Sequence, residues 1–112
     1  MTINEYQSSA MRTANGMDYE HYGMLVNGAL GLSGESGEVA DIVKKVLFQG
    51  HELDIDHVAK ELGDVAWYLA VASAAIGYDL ETVMRMNIEK LKKRYPEGFS
   101  TERSQNREEG DI

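Results

Sequence analysis

Between Tyr22 and Phe48 the apolar positions Leu25, Ala29, Leu32, Val39, Val43 and Val46 recur at intervals of three, four and seven, which is the spacing of one helix face. Val58, Leu62, Val65, Leu69, Ala72 and Ile76 repeat the pattern, and Leu80, Val83, Met84, Met86, Ile88 and Leu91 give a fourth helix. The polar positions between them punctuate the chain. Thr2 and Glu5 have the spacing of a capping box and open a first helix that is expected to run to Asn15-Gly16. Asp18, then Asp54 or Asp56, then Asp79 stand where N-caps of the next three helices belong. Gly50 and Gly77 end the second and third helices. Pro96 stops the fourth at Tyr95. Lys44 and Lys45 fall near the end of the second helix, where cations suit the helix dipole. Few stretches alternate with period two. The prediction is an all-α, antiparallel four-helix bundle over residues 1–99, followed by a polar tail, 100–112, within a segment expected to be extended from residue 97 on.

The 112 residues suit one small domain, and 43% hydrophobic with 27% charged residues is the composition of an ordered globular protein. With no cysteine, disulfides and thiolate metal sites are excluded, which fits a reducing, cytoplasmic setting. The start MTINEYQ has no export signal, and no apolar run reaches the length of a membrane span. The net charge of −8, from 11 basic and 19 acidic residues, argues against polymeric nucleic acid as a partner. An acidic protein that handles phosphates needs metal cations to offset the repulsion.

Residues 28–41, GALGLSGESGEVAD, combine two costs in one helix. Gly28, Gly31, Gly34 and Gly37 recur every third position, each costing roughly 1 kcal/mol relative to alanine. Glu35 and Glu38 lie among them, three residues apart; Glu61 and Asp64 repeat that spacing on the next helix, so each helix offers two carboxylates on one face. Asp41 continues the first row. Both pairs border apolar stripes. One ExxE pair alone is most simply a solvated face, but two facing pairs would repel unless protonated or bound to cations. Oxygen ligands without cysteine favour Mg²⁺ or a similar hard ion. A di-iron centre of the Glu-x-x-His type is disfavoured: Glu38 and Asp64 hold the positions where histidines would stand, and His57 precedes Glu61 by four. His21 and His51 fall near helix ends. The glycines remove bulk so that a backbone, a nucleotide or a hydrated metal can approach; a broken helix near Gly31–Gly34 is the other reading. No GxxxxGK[ST] phosphate loop is present.

ExxE on one helix followed by ExxD on the next resembles the MazG-like, all-α nucleoside triphosphate pyrophosphohydrolases. The likeness runs through Gly34-Glu35-Ser36-Gly37-Glu38-Val39-Ala40-Asp41 and Lys60-Glu61-Leu62-Gly63-Asp64-Val65-Ala66-Trp67-Tyr68-Leu69. It continues in Asn87-Ile88-Glu89-Lys90-Leu91 and Arg94-Tyr95-Pro96-Glu97-Gly98-Phe99. It departs at Gly34, where many members carry a glutamate.

The resemblance implies cleavage between the α- and β-phosphates of a (deoxy)nucleoside triphosphate, giving a monophosphate and pyrophosphate. It implies Mg²⁺, or Mn²⁺, held by Glu35, Glu38, Glu61 and Asp64, with Glu35 or Glu38 as proton acceptor. Tyr68 stands one turn beyond Asp64, where core packing and nucleoside contact are both open to it; Trp67 reads as packing. Asn87, Lys90 and Arg94 share a face of the fourth helix, and the resemblance turns Asn87 and Lys90 toward the substrate. The competing class is a non-catalytic helical interaction or regulatory module whose acids are solvated. Long apolar helices exceed what one small bundle buries, and with the resemblance this gives an expected homodimer or homotetramer.

Overall fold

In a computed structural model, which describes residues 1–14 and 22–112, the helices are α1 (Ile3–Met11), α2 (Gly23–Gln49), α3 (Ile55–Ala75), α4 (Leu80–Arg94) and α5 (Thr101–Gln105). Among the described residues there is no strand, so the fold is all-α. The expected cap Asp18, the glycine stop at Asn15-Gly16 and His21 lie outside the described residues. The chain divides into two compact units, Met1–Leu80 and Glu81–Ile112.

In the first unit, the Thr2 side chain accepts from the Glu5 N–H and Glu5 reaches back to the Thr2 N–H, closing the capping box at 3.1 and 3.3 Å. α1 ends at Met11, earlier than its sequence suggests, because the Ala10 carbonyl is taken by other donors. It accepts from the Thr13 N–H and Oγ1 and from Trp67 Nε1, while the Ala14 N–H turns to Met11. Trp67 also donates to Thr13 Oγ1 at 3.0 Å, so the tryptophan ties α3 to α1. Gln7, buried, adds a second tie. Its Nε2 donates to the Ala70 and Tyr78 carbonyls, and its Oε1 accepts from the Leu80 N–H at 2.8 Å.

α2 is one unbroken helix through all four glycines, so the broken-helix alternative falls. Gly50 closes it at φ 70°, and Asp54 caps α3 by accepting from the His57 N–H. Gly77, at φ 84°, ends α3 with paired bonds from the Gly77 N–H to Ala74 and the Tyr78 N–H to Ser73. α2 and α3 pack antiparallel along their length: Gly28 meets Ala72, Gly31 meets Tyr68, and Glu35 meets Glu61 and Asp64. The glycines divide into two kinds. A Cβ at Gly28 would stand 3.1 Å from Ala72 Cβ, and one at Gly31 would fall inside the Tyr68 ring; at Gly34 and Gly37 it would meet nothing. Only the first two explain the close helix pairing.

The apolar stripe of α3 is not its buried line. Ala70, Val71 and Ser73 are buried, whereas Leu62, Leu69 and Ile76 are exposed. Small residues let α1 and α2 close on α3, and the larger aliphatics are left outside. The core apolar side chains among the described residues, Ala10, Ala14, Ala70, Val71 and Leu80, are correspondingly small.

In the second unit α4 ends at Arg94, its hydrogen bonding carried one residue further by the Tyr95 N–H to Leu91. Pro96–Gly98 form a turn, with Gly98 at φ 91°. The C-terminal segment is not extended as its polarity suggests. Ser100 caps α5 through the Arg103 N–H, and Asp111 returns to Arg94 in a two-pronged ion pair. A local cap and one buried-side ion pair hold what hydrophobic patterning could not reveal.

Candidate metal centre

The antiparallel register brings Glu35 of α2 against Glu61 and Asp64 of α3, and one carboxylate oxygen from each lies within 4.8 Å of the others. Glu35 and Glu61 are half-buried; Asp64 is exposed. The Glu35 carboxyl is raised above the ordinary glutamate range, first by a hydrogen bond with Glu61, then by partial burial and the charges of Asp64, Glu61 and Glu38. Two carboxylates share a hydrogen bond only if one keeps a proton. A divalent cation would replace that proton and answer three charges at once.

Glu38, one turn along α2, is solvent-exposed; its charge reaches Glu35, but it is not within the close group of three. Asp41 is neutralised locally, by Lys44 at 3.1 Å and Lys45 at 2.8 Å, and these bonds hold its carboxyl below the usual range. Both lysines are thereby turned back along α2.

Two neighbours were not read from the sequence as part of the site, His57 having been noted there only as an argument against a di-iron centre. His57 Nε2 lies 3.2 Å from Glu61 Oε1, an i to i+4 pair on one helix face that spacing alone places there. Tyr6 of α1 has its phenol raised by burial and then by the charge of Asp64, which puts α1 at the edge of the site. No local motif connects Tyr6 to Asp64; the Gln7 and Trp67 ties of α1 to α3, and the packing of Tyr6 against the Ala10–Ala70–Leu80 cluster, bring it there.

Tyr68 is half-buried with its ring over Gly31, and Trp67 meets it edge-on at 4.9 Å and 88°. Asn87 and Lys90 are exposed on α4 in the second unit, where Lys90 lines a cavity with Arg94 and the C-terminal segment.

The acids set opposite pH dependences. Because Glu35 holds its proton to higher pH folded than unfolded, its contribution is full below the ordinary glutamate range and is lost as pH rises through its raised value. Asp41 and Asp111, both depressed, contribute above the ordinary aspartate range and lose this as pH falls through their lowered values. In metal-free protein, Glu61→Gln should flatten the loss of melting temperature on the upper side. An unchanged slope in the variant would show that the Glu35–Glu61 bond is not its source.

The MazG nucleotide pyrophosphohydrolase domain matches residues 27–99, a span that holds all four acids, Tyr68, Asn87 and Lys90. The chain is also 34% identical over 105 residues to the "Gene 37 protein" of Mycobacterium phage L5, covering 88% of this chain and 92% of that one. No solved structure gives a significant match. No helix among the described residues is long and apolar enough to cross a membrane. With the paired-acid motifs meeting across α2 and α3 inside the matched span, the chain belongs to the MazG nucleotide pyrophosphohydrolase domain family.

Proposed function

We propose that the protein is a Mg²⁺-dependent nucleoside triphosphate pyrophosphohydrolase, releasing a nucleoside monophosphate and pyrophosphate. The observation that carries this reading is the convergence of Glu35, Glu61 and Asp64 from two antiparallel helices, within a span matched by the family. In this reading Glu35, Glu61 and Asp64 hold the ion, with Glu38 completing the set or accepting a proton. The donor set fits: all are carboxylate oxygens, and Glu35 already shares a hydrogen bond that a cation would replace. When bound, the cation neutralises the phosphate chain and acidifies a water molecule. Glu38, exposed and outside the close group, holds the proton taken from that water. Tyr68 orients the nucleoside, and the family resemblance assigns Asn87 and Lys90 of α4 to the substrate. Residues 1–99 then constitute the catalytic domain and 100–112 its polar tail.

The test is a panel of ribo- and deoxyribonucleoside triphosphates with Mg²⁺, with pyrophosphate resolved from orthophosphate among the products. Monophosphate plus pyrophosphate is expected; diphosphate plus orthophosphate would place the cut at the wrong bond.

The same reading includes self-association. Leu30 (69% exposed), Leu47 (70%) and Phe48 (80%) project from α2, and Leu62 is exposed on α3. Such apolar area on helices seeks cover, and a second copy of the chain is the expected occupant. Light scattering should give a dimer or tetramer mass; a monomer mass independent of concentration would overturn this part of the reading.

A further inference from the structure

His57 stands in the first turn of α3, where Asp54 Oδ1 accepts its backbone N–H at 3.0 Å and fixes that turn. Its imidazole Nε2 lies 3.2 Å from Glu61 Oε1, one turn further along the helix. The two side chains differ in cover: 53% of His57 is open to solvent, against 18% of Glu61. The imidazole is thus the solvent-side member of the pair, while Glu61 also belongs to the close group with Glu35 and Asp64. Glu35 reaches Glu61 across from α2 and shares with it the hydrogen bond that raises the Glu35 carboxyl. Glu61 is therefore held from its own helix and from the facing one.

We infer that His57 is a positioning residue for the metal centre: by donating from Nε2 to Glu61 Oε1 it fixes the Glu61 carboxylate in the orientation that joins Glu35 and Asp64. The inference rests on the metal reading proposed above and adds to it the group that aims one of the ligands. A free glutamate turns about several side-chain bonds, and ordering them is a cost that a cation meets on binding. A bond already made to Oε1 removes part of that cost before the ion arrives, as hydrogen-bonded partners behind metal ligands do generally. Glu61 is the acceptor toward both neighbours. Two carboxylates share a hydrogen bond only when one is protonated, and Glu35 is the one that keeps its proton to higher pH. When a cation takes the place of that proton the Glu35–Glu61 bond is lost, and the His57 bond remains to hold Glu61. Were the contact only an i to i+4 pair that steadies α3, removing it would change stability and leave metal affinity alone. Were it a cation lodged beside acids, removing it would tighten metal binding. Loss of an aimed ligand weakens binding, so the sign of the change decides.

The test is titration of Mn²⁺ into the full-length protein at about pH 8.5, above the ordinary imidazole range, with the free ion read from its electron paramagnetic resonance signal. His57→Ala should weaken binding about tenfold, the lower end of what such partners contribute. His57→Gln, whose amide N–H lies as many bonds from the backbone as Nε2 does, should recover affinity to within about threefold of the original. In a Glu61→Gln background, His57→Ala should change the remaining affinity by less than about twofold, because it acts through Glu61. Thermal unfolding without metal checks that each variant is folded. Unchanged or tighter binding by His57→Ala, equal weakening by His57→Ala and His57→Gln, or an undiminished effect in the Glu61→Gln background would overturn the inference and leave the metal reading standing. An original chain that binds no Mn²⁺ would overturn both.

Discussion

Asp64→Asn should lower Mg²⁺-dependent turnover by at least ~100-fold and yet leave the metal-free protein as stable as before, or more so. Altering even the outer partners of metal ligands costs about 10- to 100-fold, so loss of a direct ligand should exceed that. The stability half follows from repulsion. Asp64 adds its charge to a group in which Glu35 already holds its carboxyl up against Glu61 and Asp64, and an amide of the same size relieves it. Mg²⁺ at 100 times its dissociation constant would stabilise the original chain by about 2.7 kcal/mol through mass action; Asp64→Asn should lose most of that gain. Glu38→Gln separates ligand from proton acceptor. Glu38 lies outside the close group of three, so its variant should keep much of the Mg²⁺ stabilisation while losing about 10²- to 10⁴-fold in turnover, the scale of general base catalysis. Thermal unfolding with and without Mg²⁺, alongside activity, reads all of this. Equal Mg²⁺ shifts in all three proteins with activity intact would remove these acids from the metal site.

The parts of this molecule legible in its sequence are those with a local physical cause. The Thr2–Glu5 capping box, the Asp54 cap and the glycine stops at Gly50 and Gly77 each depend on residues within a turn of one another, and each is present. The pairing of Glu35 with Glu61 and Asp64 was also approachable, since two acid pairs at helical spacing on consecutive antiparallel helices can meet at one register. What was illegible depends on contacts between distant segments. The early end of α1 is decided by Trp67, 57 residues away from the Ala10 carbonyl it takes. The burial of Ala70, Val71 and Ser73 in place of Leu62, Leu69 and Ile76 reflects which face of α3 the small residues of its neighbours can approach. Apolar periodicity finds a helix and its apolar side, but not whether this chain alone covers that side. The C-terminal segment is polar apart from Phe99 and Ile112, and beside the local Ser100 cap its order rests on the ion pair Arg94–Asp111, between residues 17 apart that no pattern links.

The glycines of α2 give the second large effect, and its sign should reverse with one distant side chain. In the original chain, Gly31→Ala puts a methyl group where the Tyr68 ring lies, so either the ring leaves α2 or the helices part. Overpacking of this kind costs about 1–3 kcal/mol, more than the gain of up to about 1 kcal/mol from replacing a helical glycine by alanine. Since Glu35 follows on the same helix one turn later and Asp64 precedes Tyr68 by one turn on the other, parting the helices would also spread the acids. Turnover should therefore fall with stability. With Tyr68→Ala in place, the ring is gone and Gly31→Ala should stabilise the protein by about 0.5–1 kcal/mol, leaving the helix preference for alanine unopposed. Gly37→Ala needs no second change to show that gain within a single chain, because nothing lies within 4 Å of its added methyl group. Denaturant unfolding of the original, both single variants at positions 31 and 68, and the double variant completes the cycle; the coupling isolates the Gly31–Tyr68 contact from helix propensity. A coupling near zero would mean that Tyr68 does not rest on Gly31, and the close approach of α2 to α3 at the acid site would then have to come from Gly28 and Ala72 alone.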